Sequence, residues 1–365
     1  MPFEIDFLPV GDASKSGDAI ALRYGNLNGP RHEQVVVTVD GGTKASGQAL
    51  AEHVARVYGT NVVDIAILTH PDMDHSSGMR CVLEQLRVKQ VVMHLPWGHS
   101  SDVLRLVDDD RVTSKSLKNR AIDNLTAAKE VADLARKCGA DVVEPFAGVA
   151  TGGGEITVLG PTVEFYQKQL ANFRFMPGTQ NSSKTATFSG YREYQPVIEL
   201  ESWMVERLGE PSENASSAEN NSSAIILLQV DGCNVLLTGD AGVPALSAAL
   251  DYAECRRIKP NSLNLFQVPH HGSRKNLSTS LLNRLFGTPG DSMAGWNAVV
   301  SAAPQGAPKH PNKKVTNALQ RRGAKVTTTE GGVIQFSKGI APRLGYGPIV
   351  PTPFYAVVEG DGLTE

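Results

Sequence analysis

Residues 62–78 read VVDIAILTHPDMDHSSG, and the fold of the chain is decided there. Val62 to Leu68 form an almost continuous apolar run, the pattern of a central strand covered on both faces. The run ends in His70-Pro71-Asp72-Met73-Asp74-His75, which packs two imidazoles and two carboxylates into six residues. A cap or a solvated turn accounts for one such group. Four of them directly after a buried strand call for another reason. Imidazole and carboxylate are ligands of borderline and hard divalent cations. One ion uses three or four of these groups, so this turn, with more histidines downstream, points to two ions.

Outward from this stretch, strands and helices alternate. FEIDFLPV, DAIALRYG and QVVVTVD precede it as short strands bounded by Gly or Asn, and 45–58 has helical spacing. VKQVVMHLP (88–96) is a further buried strand, 121–139 an amphipathic helix with Gly139 placed to end it, and DVVEPFAG and GGEITVLGP two more strands. AIILLQV and CNVLLTGD flank the turn Asp231-Gly232 as a hairpin. Helices are expected over 242–253 and 311–323, with strands in SLNLFQV, AVVSAAP, VTTT and GVIQFS. Such alternation predicts a layered α/β architecture, and the hairpins exclude a purely parallel sheet. The stretch 171–222 stands apart, because PGTQNSSKTATFSG and EPSENASSAENNSS are polar and poor in core residues. It reads as a long excursion or lid, which offers a place for a protein partner.

Chemistry-bearing residues recur at strand ends, where sites collect in α/β sheets. Asp240 closes LLTGD, with N-capping of the following helix as its alternative task. His270 and His271 follow LNLFQVP. Adjacent histidines diverge, so one is expected as a metal ligand and the other beside it or against substrate. His310 follows AVVSAAP.

The ordered set resembles a known family. His70-x-Asp72-x-Asp74-His75 is similar to the HxHxDH signature of the metallo-β-lactamase fold superfamily. The run GDAIALRYG, VTVDGG, LTHPDMDHSSG, NSSAIILL, LLTGD, VPHHGS and a late HP resembles the hydrolase domain of ComEC-type competence proteins and their stand-alone relatives. The resemblance covers most of residues 5–335. It implies a four-layer αβ/βα sandwich of two mixed sheets, with two divalent metal ions, zinc or manganese, at one edge. On this reading residues 1–340 are one hydrolase domain and 341–365 a C-terminal extension.

By position, His70 and Asp72 would serve the first metal and Asp74 and His75 the second. Asp240 would bridge them, and His270 or His271 would complete the site, with His310 as a further candidate. Asp74 and Asp240 are the implied catalytic residues, acting through a metal-bridging hydroxide. Asp72 stands where the signature has its second histidine, which shifts preference modestly toward manganese. The histidine that usually lies between the first motif and the bridging Asp has no clear counterpart. His94 and His99 fall in the right interval but read as packing or loop residues.

Charge bears on the substrate. The chain carries 35 basic and 38 acidic side chains, a net −3, which excludes a strongly basic coat protein. Yet Ala253 to Lys325 holds twelve Lys or Arg against Glu254 and Asp291, so this segment is +10 and the rest −13. A basic rim around metal motifs suits phosphate, with Ser273, Arg274, Lys275 and His310 as candidate substrate contacts. The expectation is a metal-dependent phosphodiesterase or DNase-like nuclease. The alternatives are a hydrolase of small nucleotides or non-phosphate esters, or a catalytically weak metal- and partner-binding module. Cys81, Cys138, Cys233 and Cys255 form no CxxC pair, so mostly buried, reduced thiols in a cytoplasmic protein are expected. No membrane span and no secretory leader are legible.

Overall fold

In the computed structural model, residues 1–11, 16–107, 109, 111–177, 198–212, 214–258, 263–290, 295–304 and 310–360 are described. The strands are β1 (Phe3–Phe7), β2 (Ala19–Gly25), β3 (Gln34–Gly41), β4 (Val62–Leu68), β5 (Arg87–Met93), β6 (Asp141–Val143), β7 (Ala150–Thr151) and β8 (Ile156–Gly160). They continue with β9 (Ile198–Leu200), β10 (Ile225–Val230), β11 (Cys233–Leu237), β12 (Leu263–Gln267), β13 (Trp296–Val300), β14 (Ala324–Thr328), β15 (Ile334–Lys338) and β16 (Val357–Glu359).

Two seven-stranded sheets form, in the orders β15-β1-β2-β3-β4-β5-β6 and β14-β13-β12-β11-β10-β8-β7. Each is mixed. In the first, β15 through β3 pair antiparallel and β3 through β6 parallel. In the second, β14 through β11 are parallel and β11 through β7 antiparallel. Phe3, Ile5, Ile20 and Val37 of the first sheet pack against Ile156, Val235, Leu265 and Val299 of the second, which forms the layer between them. Helices cover both outer faces. Lys44–Val57 and Thr126–Lys137 bury Leu50, Val54, Val131 and Ala135 on one side. Val243–Cys255, Thr279–Phe286 and Lys313–Arg321 cover the other. The result is a four-layer αβ/βα sandwich.

Several local expectations are revised. The helix expected over 121–139 is two, Ser114–Asn124 and Thr126–Lys137, turning at Leu125. The first is capped by Thr113 and Ser116, a reciprocal pair with little apolar periodicity to betray it. The cysteines are all unpaired, but only Cys233 is buried, while Cys138 and Cys255 are exposed.

The excursion is only partly what its polarity suggested. Residues 178–197 and 213 lie outside the described residues, but parts of 198–212 and 214–222 are packed. β9 pairs with β16, Leu208 is buried, and Glu219, Asn220 and Asn221 are buried beside the polar strand ends. This packing also removes three cations from the basic rim expected over 253–325. Lys314, Arg321 and Arg322 are buried and reach back to the excursion, pairing with Glu199, Glu201 and Glu206. Arg321 also donates to the carbonyls of Ser202, Trp203 and Val205. Arg284 pairs with Asp251 and Glu254. Lys314, Arg321 and Arg322 thus tie the excursion to the sandwich. Lys259, Lys309 and Asp291 lie outside the described residues.

Candidate metal centre

Four strand ends at one edge of the sandwich carry the polar groups. The loop after β4 supplies His70, Asp74 and His75. The loop after β11 supplies Asp240, the turn after β12 supplies His270 and His271, and the end of β3 itself supplies Asp40. Asp40, His270 and His271 all have positive φ (52°, 47° and 55°). Non-glycine residues pay for that conformation, and such strain gathers at functional sites. Glycines let the turns close up. A Cβ on Gly78 would lie 2.0 Å from the Gly41 carbonyl oxygen, and one on Gly47 2.1 Å from that of Gly78.

Each histidine is oriented from behind. Asp40 accepts from the Thr69 amide (2.8 Å), the Thr69 hydroxyl (2.7 Å) and His75 Nδ1 (2.8 Å). Because the Thr69 hydroxyl gives its proton to Asp40, it can only accept from His70 Nδ1, at 3.1 Å. His271 Nδ1 donates to the Ser301 carbonyl at 3.0 Å. Asn276 donates its amide hydrogens to the carbonyls of Asp240 and Ala241, which leaves its oxygen to meet His270 Nδ1 at 3.1 Å, and the Asn220 side-chain amide holds the same nitrogen at 3.1 Å. With Nδ1 committed, each ring turns Nε2 inward, as metal-ligating histidines do.

The inward atoms converge on Asp240. Its Oδ2 lies 3.8 Å from His70 Nε2 and 3.7 Å from His270 Nε2, while its Oδ1 lies 3.4 Å from His75 Nε2. His271 Nε2 is 3.9 Å from Asp74 Oδ2. Donor atoms within 4.8 Å of one another come from His70, His75 and Asp240, and again from Asp74, His75 and His271. His75 is common to both, and Asp240 also groups with His271 in a further set, so Asp240 and His75 each belong to more than one set.

These residues suit divalent ions on their own geometry. The Nε2 atoms of His70, His75 and His271 and Oδ1 of Asp240 are buried with no hydrogen-bond partner. Buried polar groups are normally satisfied, and so many orphans aimed at one place describe a cation cradle. The protonation pattern agrees. Burial disfavours charge on His75, but Asp240 and Asp40 outweigh it and hold the imidazole well above its usual range. Burial raises Asp240, but His270, His75 and His271 hold it well below the carboxylate range. Burial pushes His271 down to about 4. A proton on His75 sits where a cation would take its place.

Other expected residues lie elsewhere. Asp72 is at the edge, 3.4 Å from Arg174, outside every convergent donor group among the described residues. Arg174 also bonds Glu219, so Asp72, Arg174 and Glu219 are linked along the wall of one cleft. His94 stacks on Tyr166 at 4.2 Å, and burial lowers its pKa to about 3. His99 bonds Glu144 at 3.0 Å. Both are packing histidines. Ser273 is buried, and its hydroxyl accepts from the Lys275 amide at 3.2 Å. Arg274 and Lys275 line a separate cleft with Arg207 and Glu210. The His310 ring stacks on His270, centroids 6.0 Å apart. Two carboxylates in the centre, Asp18 and Asp40, went unread in the sequence. Their signal is an acid at the start or end of an apolar strand, in DAIALRYG and VTVDGG.

A cleft of about 700 Å³ opens beside Asp72 and Asp74. Arg120, Asn124, Arg174 and Glu219 supply its polar wall, and Leu125, Phe175 and Met176 its apolar floor.

Sandwich and edge cluster together are the architecture of a metallo-hydrolase. Residues 31–287 match the model of the metallo-beta-lactamase superfamily, and the chain belongs to that superfamily. It is 30% identical over 138 residues to the uncharacterized protein YcaI of Escherichia coli (strain K12), and 27% identical over 122 residues to ComE operon protein 3 of Bacillus subtilis (strain 168). The matched stretches are 36% and 33% of this chain but only 17% and 14% of those proteins, so the chain matches a small part of each. Among solved structures it is similar to Igni18, a metallo hydrolase from Ignicoccus hospitalis KIN4/I, at 13% identity and TM-score 0.39 over 91% of this chain and 98% of that one. A diphosphatase from the PhnP family matches at 9% identity and TM-score 0.39 over 92% and 98%. Among the described residues no helix is long and apolar enough to cross a membrane.

Proposed function

We propose that this chain is a metal-dependent phosphodiesterase, with DNA the leading substrate. The observation that carries this reading is the cleft at Asp74, whose wall brings Arg120 and Arg174 to the edge of the donor cluster. Guanidinium groups beside a metal cluster fit the non-bridging oxygens of a phosphodiester. The volume suits one or two nucleotides, with Leu125 and Met176 under the sugar and base.

His70 and Asp240 would hold one divalent ion, and Asp74, His75, His271 and Asp240 the other. Two ions, zinc or manganese, would supply a water of lowered pKa and positive charge against the phosphoryl oxygens. Asp40 holds the His75 ring in register and accepts its Nδ1 proton. His270 is one-third exposed and tied by Asn276, which places its Nε2 to pass a proton to the departing oxygen. Arg174 divides its charge between Asp72 and Glu219, so Asp72 acts through Arg174 to set the cleft's width. Arg274, Lys275 and His310 lie on the β12 side, where a longer strand would emerge. The unpaired cysteines support a reducing, cytoplasmic setting.

The test is incubation of the protein with linear, circular and single-stranded DNA and with a bis-aryl phosphate, each with manganese or zinc, beside Asp74→Ala and Asp240→Ala. Metal-dependent DNA cleavage lost in both variants is the expected result. Hydrolysis of the aryl ester alone would move the assignment to a small phosphodiester. No hydrolysis, or equal hydrolysis by the variants, would overturn the reading.

A further inference from the structure

The start of β2 brings one more carboxylate into the centre. Gly17 precedes it, and a Cβ there would lie 2.3 Å from the Asp74 carbonyl oxygen, so only glycine lets this segment press against the loop that carries Asp74 and His75. Asp18 follows, 1% exposed. Its Oδ2 accepts from Gln267 Nε2 at 2.7 Å. The Gln267 amide is itself fixed, because its oxygen accepts from the amides of Thr238 (2.9 Å) and Gly239 (3.3 Å). Asp18 is therefore aimed, and its Oδ1 is left buried with no hydrogen-bond partner.

The surroundings of that oxygen are carboxylates and imidazoles. Asp18, Asp240 and His271 bring donor atoms within 4.8 Å of one another, and so do Asp18, Asp40 and His75. An ionised carboxylate with one neutral donor, buried among two more carboxylates, is costly unless a cation shares the space. A core built for stability alone would place an amide or an aliphatic group there.

We infer that Asp18 is a ligand of the ion held by Asp240 and His271, positioned by Gln267. This rests on the metallo-hydrolase reading and adds to it a carboxylate-rich second position, with Asp18, Asp74 and Asp240 beside His75 and His271. Three carboxylates make this position oxygen-rich, and oxygen-rich sets favour manganese over zinc. Asp18 is thus a determinant of metal choice.

Metal equivalents and affinities for manganese and zinc are measured separately by equilibrium dialysis on chelator-stripped protein, for the wild type and Asp18→Asn. Asn keeps the shape and can still accept from Gln267. The expected result is two equivalents in the wild type and, in the variant, an at least tenfold weaker manganese affinity at one position, with the other unchanged and zinc less affected. Unchanged affinities in Asp18→Asn would overturn the inference while leaving the metallo-hydrolase reading intact. A wild type that binds neither metal would overturn both. A second probe does not depend on the Asn variant folding well. Asp18→Cys loaded with cobalt(II) should show a thiolate-to-cobalt charge-transfer band that the loaded wild type lacks, and its absence in a folded, cobalt-loaded variant would count against direct ligation.

Discussion

Two buried sets of charged groups, one on the first sheet and one at the edge where the two sheets meet, differ in one respect. On the strand carrying Glu4 and Asp6, every acid is matched. Asp6 accepts from Tyr58 (2.7 Å) and Arg343 (2.9 and 3.0 Å) and pairs with His53 (3.0 Å). Glu4 accepts from Arg23 (2.6 Å), Gln335 (2.8 Å) and Arg343 (2.6 Å). At the edge, Asp18, His70, His75, Asp240 and His271 each keep a buried atom with no partner. Burial of charge alone does not mark a site, because proteins bury ion pairs that only need to be closed. Unclosed valence aimed at a common point does mark one.

The comparison can be broken at either end. The largest effect is expected in the closed class, at the buried Arg321–Glu201 pair (2.6 Å) that ties the excursion to the sandwich. Arg321→Met leaves Glu201 buried and uncompensated, at a cost of about 3–5 kcal/mol in urea unfolding. Adding Glu201→Leu should recover most of it. A loss below 1 kcal/mol in the single variant would show the pair to be solvated.

At the open end, a divalent ion at about a hundred times its Kd should stabilise the wild type by about 2.7 kcal/mol. Asp240→Ala should abolish that gain, as followed by thermal unfolding with and without chelator. The same metal added to a protein with the Arg321 pair removed should still give the full gain, since that set takes no ion.

Arg343 offers a smaller, pH-dependent test. Burial raises Asp6, but His53 and Arg343 outweigh it and hold its pKa below the usual carboxylate value. A carboxylate lowered in the folded state adds stability above its unfolded pKa, near 3.9, which is lost as pH falls through the lower folded value. Arg343→Met should therefore cost about 1–2 kcal/mol at pH 7 and progressively less below pH 4. A pH-independent deficit would mean that the contribution is packing.

The smallest effect belongs to His94, which is buried, neutral and stacked on Tyr166, with neither ring nitrogen hydrogen-bonded. His94→Phe should change stability by less than about 1.5 kcal/mol and leave metal uptake untouched. A loss of metal would place His94 in the centre after all.

His94 also shows where sequence reading stops. The apolar run 62–68, the polar turn behind it and the strand ends at Asp240 and His270 were legible, because hydrophobic periodicity and clustered ligand types are local properties of the chain. Both His94 and His70 follow a buried strand, and in the sequence only the carboxylates and second imidazole after His70 set them apart. The difference is that Thr69 turns one ring inward, while Tyr166, far along the chain, covers the other. Arg321 and Arg322 looked like a solvent-facing basic run until Glu201 and Glu206 were brought onto them from more than a hundred residues away. From the residues came the layered α/β architecture and the His/Asp chemistry of one edge, and from the resemblance those residues carry came the four-layer sandwich. Which groups meet there depended on contacts between distant segments: Asp72 lies beside Arg174, outside the convergent donor groups among the described residues, while Asp18 is aimed inward by Gln267 from the other sheet.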